Sequence, residues 1–304
     1  MIDYLLMLIA VILMTGTFVT QKMFQNKIGN TSDANFKFNA FGGVFKTVIF
    51  ILVAGFMQGF EFTFTPFSAI MASLTAIVSF TYLLFSFPML KSGQMATYTL
   101  FLMTGGSMVP YVFGIIKLGE DFSVLRTVGL FLIIAGVVFA NFQKTNLNVK
   151  YIFMGVCVFF LNGLMSTISK LHQIEKDYAQ ASEAEFVVLQ SLALIVLGTV
   201  SWIIWALTNP DKIALLNGRS KKERRSAFFW TAVLCLATSL LGGVSYIFQL
   251  SSASNLPATV VYPFLTGGSI ILTTIAGLIF FREKISKKVL IGVIFCFAGT
   301  LMFL

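Results

Sequence analysis

Charge is what this sequence has least of: 11% of its 304 residues are Asp, Glu, Lys or Arg, against roughly a quarter in ordinary soluble domains. With 57% hydrophobic residues and a mean hydropathy of +0.90, an aqueous fold could not hide the apolar side chains, so lipid is the expected solvent. Histidine is nearly absent. The one present, His172, has no second histidine or central carboxylate to work with, which argues against an intramembrane enzyme. The three cysteines, Cys157, Cys235 and Cys296, lie far apart inside apolar runs. They offer neither a metal-ligand spacing nor a disulfide framework, and no cofactor is expected. Carboxylates are missing from the middle of every apolar run, so a proton relay lacks its usual residue. Glu185, at the start of one run, is the nearest candidate, weighed against a solvated helix start favoured by the helix dipole. No acidic ring or carbonyl-filter motif points to an ion channel.

What the chain does have is a series of apolar runs of membrane length. A helix needs about 20 residues to cross a hydrocarbon core of about 30 Å, and the runs that qualify are Ile2 to Gln21, Phe38 to Met57, Phe67 to Leu90, Gln94 to Lys117, Ser123 to Asn141, Tyr151 to Lys170, Phe186 to Leu207, Phe228 to Ser251, Pro257 to Phe281 and Lys288 to Leu304. The expected fold is therefore all-α, a polytopic membrane protein of ten transmembrane helices, with no room in these residues for a soluble catalytic domain. The first run lacks a basic start and a small-residue cleavage pattern, so it is read as a retained span. The net charge of +9 comes from residues at run ends and in short loops, with one cluster from Arg219 to Arg225. Anionic head groups account for them without any nucleic acid. The stretch from Asn209 to Ala227 reads as a polar loop, with an interfacial helix around Asp211 to Leu216.

An internal repeat constrains the architecture further. Thr104-Gly105-Gly106-Ser107 is followed by Glu120, Ser123, Gly129 and Gly136, and Thr266-Gly267-Gly268-Ser269 by Glu283, Ser286, Gly292 and Gly299. The spacing after each glutamate is the same, E-x-x-S-x5-G-x6-G. Lys22 likewise falls opposite Lys170 at the ends of spans 1 and 6. The chain thus divides into residues 1–145 and 146–304, five spans each. An odd number of spans makes the second copy start on the opposite side of the membrane, so the repeats are expected to be inverted, the arrangement of many secondary transporters.

The ten-span, five-plus-five layout and the E-x-x-S…G…G signature opening spans 5 and 10 resemble the drug/metabolite transporter superfamily, EamA-like group. Span 1 has Thr15-Gly16 where that family often has a tryptophan-glycine pair. The resemblance implies export or exchange of metabolites, amino acids or hydrophobic compounds, a bacterial plasma membrane location, and cytoplasmic termini. The chain's own charges say otherwise about the termini. Loops 1–2, 3–4, 5–6, 7–8 and 9–10 hold about 16 Lys and Arg and the opposite set about four, which by the positive-inside rule puts both termini outside.

Polar side chains within spans are costly unless satisfied, so they mark cavities or helix contacts. Thr97, Thr104 and Tyr111 share one face of span 4, and Thr259 and Thr266 the matching face of span 9, which makes these two spans the expected lining of a pathway. Tyr98 and Tyr262 sit near one end of it, and Asn162, Gln190 and Gln249 are further candidates for orienting a solute. The alternatives are that the threonines bond the carbonyl one turn back, that the amides join helices, and that the tyrosines anchor at the interface. Pro110 and Pro263 are expected to kink their spans. Lys46 falls inside span 2, where it either snorkels to the surface or serves an anionic solute. Ser123 and Ser286 are expected to cap spans 5 and 10, with Glu120 and Glu283 helping those helices begin. The expected partners are a small solute and the bilayer, in a monomer or homodimer, and the alternative to a transporter is a non-transporting membrane scaffold or sensor.

Overall fold

The computed structural model describes residues 2–29, 31–58, 61–91, 95–141, 149–211, 220–282 and 286–304, with the side chains of 32, 35, 57–58, 83, 86–91, 95–99, 141 and 221 outside that description. Among the described residues there are helices and no strands: α1 (Ile2–Ile28), α2 (Ser32–Gln58), α3 (Pro66–Lys91), α4 (Met95–Lys117), α5 (Val124–Asn141), α6 (Val149–Ile174), α7 (Glu183–Thr208), α8 (Lys221–Asn255), α9 (Ala258–Phe281) and α10 (Lys287–Leu301). Each coincides with one of the apolar runs. The interfacial helix expected from Asp211 to Leu216 falls almost wholly outside the described residues.

Local chemistry sets several boundaries beyond the apolar runs. Ser220 accepts from the Glu223 N–H while the Glu223 carboxylate accepts from the Ser220 N–H, a reciprocal cap that satisfies two otherwise orphaned donors. With it, α8 starts seven residues before the apolar run at Phe228 and carries the exposed Lys222, Arg224 and Arg225 beyond the hydrocarbon. Ser182 and Glu185 form the same box at α7, and Ser286 caps α10 through the Val289 N–H.

Among the described residues, seven helices, α1, α2, α4 and α6 to α9, are long and apolar enough to cross a membrane, and further apolar stretches lie in α3 at Pro66–Tyr82 and in α5 at Val124–Ala140. Helix α10 has 15 residues, about 22 Å at 1.5 Å per residue, because the chain turns at Met302, whose N–H bonds back to Gly299. The outer surface is apolar: Leu5, Leu8 and Ile12 on α1 and Val196, Val200 and Leu207 on α7 are exposed. That is the surface of an integral membrane protein, since a water-facing protein rarely leaves so large a contiguous apolar patch uncovered.

The helices pack in pairs that recur when five is added to each number. Helix α1 lies on α8 as α6 lies on α3, α4 on α6 as α9 on α1, and α3 on α7 as α8 on α2, while α2–α7, α4–α9 and α5–α10 pair across the middle. The α5–α10 crossing uses the four repeated glycines. A Cβ added to Gly136 would lie 2.5 Å from the Gly292 carbonyl oxygen and one added to Gly292 2.5 Å from that of Gly136, and Gly129 and Gly299 face each other in the same reciprocal way. Only glycine lets the two backbones approach this closely.

Among the described residues, three apolar clusters form the interior of the bundle. The largest joins α1, α4, α5, α9 and α10 with Ala253 of α8, and includes Tyr111, Ile133, Tyr262 and Cys296. A second joins α2, α3, α7 and α8 around Phe50 and Phe186, and a third joins α1, α2 and α8 around Phe24 and Cys235. Helix α9 is buried continuously from Ala258 to Gly267, which makes it an interior element of the largest core.

Candidate solute cavity

A cavity of about 360 Å³ lies among α1, α2, α3, α6, α7 and α8, within the range of roughly 300–1,000 Å³ usual for small-molecule sites. Helical spacing turns a polar face of α1, α2 and α8 toward it. On α1 these are Thr17, Gln21 and Gln25, four residues apart; on α2, Asn39, Gly42 and Lys46. Helix α7 gives Gln190, and α8 gives Ser239, Tyr246 and Gln249. Apolar lining comes from Met14, Phe24, Phe38, Met165 and Val187. At Gly42 the missing side chain leaves space, as an added Cβ would meet only the Ser239 hydroxyl at 3.6 Å.

Lys46 sits near the middle of α2, about 20 Å along the axis from either end at 1.5 Å per residue. No lysine side chain reaches that far, so snorkelling to a helix end does not satisfy it. It has no ion pair or hydrogen bond among the described residues, and neither do the side-chain amides of Gln21, Gln190 and Gln249. Polar groups inside a membrane protein are normally partnered, so these four stand out.

Most other intramembrane polar groups have partners. Thr104 donates to the Leu100 carbonyl at 2.7 Å, and Ser107, Thr167, Ser191 and Thr238 bond one turn back in the same way. Asn162 donates to the Leu102 carbonyl at 2.8 Å, joining α6 to α4. The Tyr111 hydroxyl pairs with Thr127 at 2.8 Å, joining α4 to α5, and Tyr262 donates to the Ser166 carbonyl at 2.6 Å, joining α9 to α6. Thr266 is buried in α9. Thr259 is buried too, and its hydroxyl has no partner. Of the residues singled out from sequence, Gln190 and Gln249 therefore meet in the cavity with Lys46, whereas Thr104, Tyr111, Asn162, Thr259, Tyr262 and Thr266 lie in helix packing. The side chains of Thr97 and Tyr98 are outside the described residues. Gln21, Asn39 and Tyr246 were not anticipated. The available signal was the i, i+3, i+7 spacing of Asn39, Gly42 and Lys46 on one helix face.

Past the cavity, at the end where α3, α7 and α9 begin, a layer of hydrogen bonds closes the bundle. Glu185 is fully buried, not solvated as expected. Its carboxylate accepts from the Ser182 N–H and hydroxyl and from the Thr63 N–H and hydroxyl. The Ser68 hydroxyl contacts His172 Nε2 at 2.8 Å and accepts from the Ala181 N–H, while Phe67 and Phe186 pack on the His172 ring. The Lys170 ammonium donates to the carbonyls of Ala253 and Leu256 at the end of α8, where a cation complements the helix dipole. Tyr246 meets Ser169 at 2.6 Å.

Glu120 departs from its expected role. Ser123 is the residue that caps α5, through the Arg126 N–H, while the Glu120 carboxylate accepts from the Ala258 and Thr259 N–H groups at 2.7 and 2.8 Å. Helix α9 begins after Pro257, which provides no side-chain cap, so its orphaned N–H groups require an outside acceptor and the helix dipole favours an anion there. Glu283, its counterpart in sequence, lies outside the described residues.

No protein-family model matches the chain, and no curated protein matches it. Among solved structures 28 chains match. One crystal structure aligns over 99% of this chain and 95% of its own with a TM-score of 0.73 at 15% sequence identity. The likeness is one of fold, and it extends over the whole helical bundle.

Proposed function

We propose that the protein is an integral membrane transporter moving a small metabolite, amino acid or amphipathic solute by alternating access of two inverted five-helix repeats, residues 1–145 and 146–304. The resemblance to the EamA-like group of the drug/metabolite transporter superfamily is one support, and it favours export across a bacterial plasma membrane. The recurrence of helix pairings on adding five is a second, and the reciprocal crossing of the repeated glycines is a third. The observation that carries the reading is the cavity itself. Its walls come from α1, α2 and α3 and from their counterparts α6, α7 and α8, so it lies between the repeats, where inverted-repeat transporters hold their solute. One end is latched by the hydrogen bonds of Glu185, His172, Lys170 and Glu120, while the cavity lining extends to Gln25 and Phe38 near the other. Access from one side at a time is the geometry an alternating-access carrier requires.

The test is flux through the purified protein in proteoliposomes. Solute counterflow should saturate, and Gly42→Phe, which fills the cavity from a position with room for a side chain, should abolish it while leaving the elution profile in detergent unchanged. Flux that survives the plug, or solute binding without flux, would replace the carrier with a scaffold or sensor.

A further inference from the structure

We infer that the solute of this cavity is an amphipathic monocarboxylate whose anionic group pairs with Lys46; this rests on the cavity taken above as the transport site. Among the described residues, Lys46 is the one charged side chain in the lining and no carboxylate lines it. Three carboxylates placed away from the cavity are engaged: Asp33 with Lys37 and Trp202, Glu185 with Thr63 and Ser182, and Glu120 with the start of α9. An ammonium group in the middle of a membrane-spanning helix and without a counter-charge is unfavourable. An entering anion supplies both the missing charge and the missing hydrogen-bond acceptor.

The rest of the lining narrows the class. With a single lysine and no arginine, one negative charge is matched, and a dianionic phosphate would keep a charge uncompensated. Without a lining carboxylate, the ammonium of an amino acid would have no ionic partner, so a simple acid fits better than its amino-acid analogue. The amides of Gln21, Gln190 and Gln249 can donate to the carboxylate or to other polar atoms of the solute. Phe24, Phe38 and Met165 offer an apolar surface for its carbon skeleton.

The experiment compares four probes on the purified protein in detergent by binding-induced thermal shift: 3-phenylpropionate, its neutral amide 3-phenylpropionamide, phenylalanine and inorganic phosphate. The acid should bind roughly ten-fold or more tightly than the amide, as expected for a hydrogen bond to a charged group, and more tightly than phenylalanine or phosphate. Lys46→Met should remove this preference and Lys46→Arg should retain it. The acid-against-amide comparison on the unsubstituted protein stands even where Lys46→Met fails to fold. Equal binding of acid and amide, preference for phosphate or phenylalanine, an unaltered preference in Lys46→Met, or no binding by any probe would each overturn the assignment. Saturable, Gly42→Phe-sensitive flux without acid preference would sink this inference and leave the carrier standing. Lys46-dependent acid binding without flux would do the reverse.

Discussion

Substituting Gly136 by alanine tests the helix crossing on which the relation between the two repeats depends. A Cβ there would stand 2.5 Å from the Gly292 carbonyl oxygen, 2.6 Å from Cys296 Sγ and 2.9 Å from the Cys296 N–H nitrogen. Two of these atoms are backbone of α10 and cannot rotate away, so α5 and α10 must separate by roughly 1 Å, the kind of overpacking that costs about 1–3 kcal/mol. Alanine also favours helix over glycine by up to about 1 kcal/mol, so the strain must exceed that gain to appear. Gly16→Ala provides the control, since its nearest neighbour is the flexible tip of Leu241 at 3.1 Å. Fluorescence-monitored melting in detergent should therefore fall by about 2–10 °C for Gly136→Ala and change little for Gly16→Ala. Gly292→Ala should match Gly136→Ala, because the two face each other. The double variant should fall by less than the sum, since helices already separated accommodate the second methyl group. A Gly136→Ala protein melting at or above the parent temperature would refute the close crossing, and with it the pairing of the repeated glycines.

Thr259→Val removes a buried hydroxyl that has no partner, and should leave the melting temperature unchanged or raise it by an amount reflecting up to about 1 kcal/mol. Loss of solute binding in that variant would make the hydroxyl a ligand. Glu120→Ala should lower stability by about 0.5–2 kcal/mol through loss of the α9 cap, with Glu120→Gln intermediate; equal melting of all three proteins would show that α9 does not need the carboxylate. A reporter fused after Leu304 should lie outside the cytoplasm if the basic loops stay within it, and a cytoplasmic signal would favour the orientation implied by family resemblance.

Helix positions were legible because the length of an apolar run is a direct consequence of bilayer thickness. Their ends were less so: α8 begins at Lys221 and not at Phe228 because Ser220 and Glu223 form a cap in the aqueous region, where hydropathy carries no signal. The repeated glycines were visible as a pattern, and their mutual contact follows from that pattern only once α5 and α10 are antiparallel neighbours. The cavity was harder to read. Gln190 and Asn162 look alike in sequence, each an amide within a span, but Asn162 faces the Leu102 carbonyl across a tight helix contact and Gln190 faces space. Which of these holds depends on the rotation of each helix about its axis, a property of the assembled bundle. Thr259 and Thr266 of span 9 were expected to line a pathway, but α9 is an interior element of the largest core.

The latched end and the polar cavity follow from one requirement, that buried polar groups find partners. At the latched end the partners come from the protein, and several cross between residues 1–145 and 146–304: Thr63 with Glu185, Ser68 with His172 and Ala181, and Glu120 with Ala258 and Thr259. In the carrier reading, opening that end would strand these groups at about 1–3 kcal/mol each unless water replaced the lost bonds, so opening would be coupled to hydration. Within the cavity the partners must come from water or solute, which keeps Lys46 and the glutamines available. In the carrier reading, Lys22 and Glu283 hold the sequence positions that correspond to Lys170 and Glu120. That reading makes two of the residues that latch the closed end repeated ones, so that closing a second end would draw on side chains of the same chemical kind.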